Sequence, residues 1–246
     1  MEDIGLIRPD WSAPASVTAC VTTRRGGYSS DPYASLNLGN HVGDDPECVQ
    51  RNREHLVKVL ELPSAPKWLN QVHGTTVLDA AQIEPGADAD ASFSREPGVV
   101  CAIMTADCLP VFFSDNQGRE VAVAHAGWRG LAAGVLEATV DAMSTSPTQI
   151  MAWLGPAIGP EQFEVGDEVR AVFSKENPAA TQAFKSSPNG RWLADIYTLA
   201  RLRLEQAGVK SISGGGLCTF SDTRNFYSYR RGGHQSGRMV SLIWVR

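Results

Sequence analysis

Residues 99–143 read VVCAIMTADCLPVFFSDNQGREVAVAHAGWRGLAAGVLEATVDAM, and the fold is decided in this stretch. Three short apolar runs, at 99–104, 109–114 and 120–124, are rich in Val, Ile and Phe and are separated by turn-forming residues, which marks them as strands. The period then changes. Trp128, Leu131, Ala132, Val135, Leu136, Val140 and Met143 recur at three- and four-residue steps, so a helix with one buried face is expected from Trp128 onward. Working outward, further strand-like runs lie at 16–22, 150–154, 212–215 and 240–245. A helix is expected over 46–61, with Pro46 in its first turn and Val49, Leu56, Val59 and Leu60 inward. Another starts after Asp195, a good N-cap, carries Ile196, Leu199, Ala200 and Leu204, and stops at Gly208. Strands outnumber helices and do not alternate with them, so the expected class is α+β: a sandwich of mixed β-sheets with flanking helices rather than a doubly wound sheet. No short-period repeat, low-complexity tract or long Pro/Ser-rich linker divides the chain, and 1–246 reads as a single domain.

The composition narrows the function classes. The chain has 246 residues and is 43% hydrophobic, enough to fill a core without covalent staples. With 22 basic against 27 acidic residues the net charge is −5, so nothing draws the whole protein toward nucleic acid or anionic lipid. The N-terminus lacks a basic stretch followed by an apolar run, and no segment approaches the ~20 uncharged residues of a membrane span. A cytoplasmic location with no membrane partner is expected. The five cysteines, Cys20, Cys48, Cys101, Cys108 and Cys218, do not read as a disulfide framework in a chain this long.

Reactive side chains gather in three segments, WLNQVHG at 68–74, MTADCLP at 104–110 and VAHAGWRG at 123–130, each expected at the end of a strand. Asp107 and Cys108 interrupt an apolar stretch, and a buried carboxylate costs several kcal/mol unless it is paired or hydrogen-bonded. His125 closes a strand just before a helix opens at Gly127, which sets the imidazole beside free backbone N–H groups. His73, Cys108 and His125 stand too far apart for a local zinc finger, so any shared site must be assembled by the fold. Two imidazoles and a thiolate form a donor set that suits a catalytic zinc with one open position. The same residues suit a Cys108–His125 thiol hydrolase whose base is oriented by Asp107 or Asn70. His73 separates the two readings, because the thiol pair does not need it. A third reading makes all three ordinary satisfied side chains of a core.

At these residues the chain resembles the bacterial laccase-domain family, also called polyphenol oxidase, peptidoglycan-editing-factor or purine nucleoside phosphorylase proteins. The matching segments run almost end to end: TTRRGGYSSDPYASLNLGNHVGDDP at 22–46, WLNQVHG, ADASFS at 89–94, TADCLPV, AHAGWRGL, WLGPAIGP at 153–160, FEVG, LADI and YSYRRGGHQSGRMVSLIW at 227–244. The resemblance implies one zinc per chain, held by His73, Cys108 and His125, which are then also the catalytic centre. It implies phosphorolysis of adenosine, inosine, guanosine and S-methyl-5′-thioadenosine, with some deamination of adenosine. A multicopper oxidase is disfavoured. A blue-copper centre would consume two histidines, and His41, His55 and His234 are too few for a trinuclear cluster, although a His₂Cys set would accept copper in vitro.

Phosphorolysis needs a phosphate held in line with the anomeric carbon, which suits arginine. Arg24 and Arg25 precede Gly26–Gly27, Arg129 opens a helix beside His125, and Arg230 and Arg231 precede Gly232–Gly233. Arg24 is favoured first, since it closes a strand, and Arg129 and Arg230 are the other candidates. Asn37, near His41, joins them as a substrate-binding candidate against the plainer reading that Asn near glycine makes a turn. Asp107 is expected to hold a ligand imidazole in one tautomer. The competing classes are a hydrolase acting on peptidoglycan precursors, which needs only water, and a binding module, in which an open metal position would be wasted.

Overall fold

The protein is described by a computed structural model that covers residues 3–84 and 86–246. In chain order its strands are β1 (Leu6–Ile7), β2 (Val17–Thr22), β3 (Val77–Asp79), β4 (Ala91–Ser94), β5 (Cys101–Thr105), β6 (Leu109–Asp115), β7 (Val121–Ala126), β8 (Ile150–Leu154), β9 (Glu164–Val165), β10 (Phe184–Ser186), β11 (Trp192–Ala194), β12 (Ser211–Gly214) and β13 (Met239–Val245). Its α-helices are α1 (Pro46–Val59), α2 (Trp128–Ala133), α3 (Val135–Ala142), α4 (Asp167–Glu176), α5 (Ile196–Gln206) and α6 (Tyr229–Gly232).

Two sheets dominate. One has the order β12-β8-β6-β7-β4-β3, parallel at the β12/β8 and β3/β4 edges and antiparallel between. The other, β1-β2-β13-β5, is antiparallel throughout. The layering follows from the two-residue alternation of the strands. On β13, Val240, Leu242 and Trp244 face Leu56 of α1, while Met239, Ile243 and Val245 face Phe112 and Val123 of the larger sheet. Its opposite surface carries Val111, Phe113, Ala122 and Ala124 against Leu136 and Val140 of α3 and Leu199 and Leu204 of α5. Four layers result, with helices outside one mixed and one antiparallel sheet; the class is α+β as expected, although the second sheet is not mixed. Asp45 and Asp195 cap α1 and α5 by accepting backbone N–H bonds at their first turns. Among the described residues, no helix is long and apolar enough to cross a membrane.

Three local expectations need correction. The helix expected from Trp128 to Met143 is two helices, because Gly134 (φ 101°) takes the left-handed conformation and turns its N–H back to Gly130 O and Leu131 O. Val59 is 45% exposed rather than inward, since α1 ends there and Leu60 is its cap. His73 does not follow a strand: its segment is a loop that carries the isolated bridges Lys67–Cys101 and Asn70–Asp88. The small sheet β10-β11-β9 and helix α4 were not foreseen, the sheet because strands of two or three residues are too short to show alternation.

Candidate metal centre and its cleft

Cys108 sits where the chain leaves one sheet for the other, between β5 and β6. The corner is sharp. Asp107 has φ 91°, a left-handed conformation that costs on the order of 1–3 kcal/mol outside glycine. Its carboxylate compensates by accepting from Thr219 Oγ1 (2.6 Å), Ser228 Oγ (2.9 Å) and Arg230 N (2.6 Å), while Ile158 N donates to its carbonyl (2.9 Å). Asp107 therefore ties the Cys108 corner to the C-terminal segment and does not touch an imidazole. Asn70 does not either, because it donates to Asp88 (2.6 Å).

The carboxylate that does is Asp90, just before β4 and fully buried. It accepts from Nδ1 of His125 (2.8 Å), leaving Nε2 of that ring to face the site. The same carboxylate accepts from the backbone N–H groups of Val72 (3.2 Å), His73 (3.0 Å) and Gly74 (2.6 Å), and so holds the loop that carries the other imidazole. Gln71 fastens that loop as a neighbouring strand would, donating to Met104 O (2.8 Å) and accepting from Met104 N (2.7 Å) on β5. The outcome is a compact group: the ligand atoms of His73, Cys108 and His125 all lie within 4.8 Å of one another. Cys108 Sγ is 3.9 Å from His73 Nε2, and the two imidazole rings meet edge to face at 4.8 Å. Gly127 completes the enclosure, since a Cβ there would lie 2.8 Å from His73 Cδ2 and 3.0 Å from Cys108 Sγ.

The electrostatics suit metal binding. Burial alone would push the Cys108 thiol up, but the two imidazoles, His125 foremost, lower it below its ordinary value. Burial likewise disfavours a charged His125, and the Cys108 thiolate with Asp90 reverses that effect. Asp90 is held below the usual carboxylate range despite its burial, through bonds from His125, Gly74 and His73. A thiolate between two oriented imidazoles can hold a metal ion.

The group opens into a cleft of about 1130 Å³. Of the substrate-binding candidates, Arg129 and Arg230 line it, together with His41, but Arg24 and Asn37 do not. Arg24 donates to Ala34 O (2.8 Å) and Thr223 O (3.4 Å) and stacks on Tyr227, its guanidinium carbon 4.8 Å from the ring centre. Asn37 is buried and makes a turn, accepting from Gly39 N (3.0 Å) and Arg238 N (2.9 Å) while donating to Gly39 O (3.1 Å) and Asp44 (2.8 Å). His55 lies against Tyr28 and His234 against Tyr229, and among the described residues no second group of metal donors forms. Asp90, Arg53, Arg238 and Trp68 were missed as site residues. Asp90 left a signal, a carboxylate amid small apolar residues in ADASFS; Arg53 and Arg238 left none, since an arginine on a helix or near a strand reads as surface.

A family profile described as multi-copper polyphenol oxidoreductase laccase matches residues 18–246. A purine nucleoside phosphorylase of Pseudomonas aeruginosa is 57% identical over 243 residues, covering 98% of each chain. Another of that name from Escherichia coli is 54% identical over 242 residues, again 98% of each. A crystal structure of a Neisseria meningitidis protein superimposes with a TM-score of 0.94 at 50% identity, over 98% of this chain and 99% of that one. One from Geobacillus stearothermophilus gives 0.90 at 32% identity, over 100% and 98%.

Proposed function

The chain belongs to the multi-copper polyphenol oxidoreductase laccase family, and from that premise we propose that it is a zinc-dependent purine nucleoside phosphorylase of the cytoplasm, acting as one domain. Its substrates on this reading are adenosine, inosine, guanosine and S-methyl-5′-thioadenosine with phosphate, and adenosine deamination is a side activity. The observation that carries the reading is the His73–Cys108–His125 group clamped by Asp90 at the base of a cleft large enough for a nucleoside. Relatives at 54–57% identity that bear the phosphorylase name support it.

The donor set fits zinc, with two imidazole nitrogens, one thiolate and room for a further ligand on the cleft side. Bound there, zinc would supply a Lewis acid that polarises a substrate atom. The protein's own groups do the rest. Asp90 keeps Nδ1 of His125 protonated, so that Nε2 offers its lone pair. Trp68 and Trp128 on the cleft wall add apolar surface beside a bound purine. Arg129 and Arg230 face the substrate from α2 and α6. A phosphate oxygen forms a bond to the anomeric carbon as the glycosidic C–N bond breaks, and the departing base takes up the proton that the phosphate gives up, yielding the sugar 1-phosphate and free purine.

One observation favours a second reading. Cys108, His125 and Asp90 follow the order nucleophile, base and orienting carboxylate, which a thiol hydrolase acting on peptidoglycan precursors would use. Product analysis separates the two. Inosine incubated with the metal-loaded protein is expected to release hypoxanthine only when phosphate is present, giving ribose 1-phosphate. Equal release in phosphate-free buffer, with free ribose, would overturn the phosphorylase reading. Elemental analysis is expected to find one zinc per chain, lost in Cys108→Ala.

A further inference from the structure

The cleft contains guanidinium groups that form no ion pair among the described residues. Arg53 of α1 and Arg238, one residue before β13, both line it together with His41. Both arginines are anchored on one turn: Arg53 donates through Nε (3.0 Å) and Nη2 (2.8 Å) to Leu38 O, and Leu38 N donates to Arg238 O (3.2 Å). Gly39 leaves the space for Arg238, since a Cβ there would come within 2.7 Å of its Cγ. The guanidinium carbon of Arg53 lies over Trp68, 4.0 Å from the ring centre, and Arg238 donates through Nη1 to Ser236 O (2.6 Å). That leaves Nη1 of Arg53 and Nε and Nη2 of Arg238 without a hydrogen-bond partner among the described residues. No carboxylate lies within ion-pair distance of either guanidinium among those residues.

Two half-buried guanidiniums in one wall, fixed through neutral carbonyls and a ring face, keep donors in reserve. Such an arrangement costs stability unless an anion completes it. Burial and the two arginines hold His41 below its ordinary pKa, which adds a neutral ring able to donate or accept at the edge of the cluster. Arg53 and Arg238 line the same cleft as His73, Cys108 and His125, so the cluster shares that cleft with the metal group. Thr105 adds an independent sign. Its hydroxyl is buried and unpartnered among the described residues, and the residue forms part of the same wall.

We infer that Arg53, Arg238 and His41 form the anion subsite of the cleft and take a phosphate dianion, with the Thr105 hydroxyl as a further contact. That this dianion is the co-substrate rests on the phosphorylase reading; the subsite itself does not. Two sources share this chemistry, free phosphate and the phosphoryl group of a nucleotide. Calorimetric titration of the metal-loaded protein with inorganic phosphate, and separately with adenosine 5′-monophosphate, tells them apart. Arg238→Gln and Arg53→Gln are each expected to weaken phosphate binding by about 10- to 100-fold, the usual effect of losing a charge-assisted contact, with zinc content unchanged. Arg24→Gln, outside the cleft, should leave it within about twofold of the parent. Should an arginine variant fold poorly, the isosteric Thr105→Val gives the second reading, with a smaller loss expected. If only the nucleotide binds and its affinity follows Arg238, the subsite stands and its dianion arrives on the nucleotide. Phosphate and nucleotide affinity unmoved by a well-folded Arg238→Gln, or lost in Arg24→Gln instead, would overturn the assignment. Phosphate binding that depends on Arg238 in a protein that cleaves no nucleoside would retain the subsite and reject the phosphorylase.

Discussion

Asp90 shows how much one carboxylate can organise. It bonds the ring of one candidate ligand and the backbone of the other, so the arrangement of the donors is held by the protein's own hydrogen bonds. Asp90→Asn, which keeps the shape and removes the charge, is expected to lower zinc affinity by about 10- to 100-fold in competition with a chelator, while unfolding stays cooperative. Asp90→Ala should be far more damaging, because three N–H groups and an imidazole lose a buried acceptor at roughly 1–3 kcal/mol each. The pH dependence has a definite sign: Asp90 is held below the ordinary carboxylate range, so its contribution is complete above the unfolded-chain value and is lost as pH falls through the lowered one. Acid titration of metal-free protein should show this loss in the parent and not in Asp90→Asn. Thiol chemistry gives a second residue-scale outcome. Burial pushes Cys20 and Cys101 up to about 12, and both should resist iodoacetamide in the folded protein. Cys108 should label rapidly once zinc is stripped and slowly before. Rapid labelling of the zinc-loaded form would favour the thiol hydrolase.

At the scale of elements, the site depends on where helices and strands stop. Gly127 precedes α2 with φ −64° and ψ 157°, a conformation any L-residue adopts, so its lack of a side chain serves space rather than backbone freedom. Gly127→Ala is therefore expected to leave the thermal midpoint of the metal-free protein nearly unchanged while zinc affinity drops at least about tenfold, since the new methyl meets His73 and Cys108. A large loss of midpoint with intact zinc binding would contradict that account. Gly134 is the opposite case. Its φ of 101° separates α2 from α3, and Gly134→Ala should cost about 1–2 kcal/mol in chemical denaturation without affecting the metal. Pro46 and Asp195 made two helix starts legible, because the chemistry of a helix start is local. The break at Gly134 was not, because the apolar period runs straight through it.

For the whole molecule, stability rests on the seam between the two sheets. Phe112 is fully buried there and stacks on Trp153 at 5.7 Å, so Phe112→Ala is expected to cost about 3–5 kcal/mol and to lower the midpoint by roughly 6–20 °C, with zinc stoichiometry retained in the fraction that folds. The residue order by itself determined the α+β class, the long strands β2, β5, β6, β7, β8 and β13, and the donor types at His73, Cys108 and His125, because periodicity and ligand chemistry are properties of single residues and near neighbours. Family likeness added the pairing of those three donors. Only the tertiary structure decided that Asp90 rather than Asp107 holds the imidazole, that Arg24 and Asn37 fall outside the cleft, and that Arg53 and Arg238 fall inside it. The physical reason is common to all of these: a hydrogen bond, a charge pair or a cavity wall depends on distance in space, and β5, β7, α1 and the segment before β13 reach one cleft only after two sheets have packed face to face.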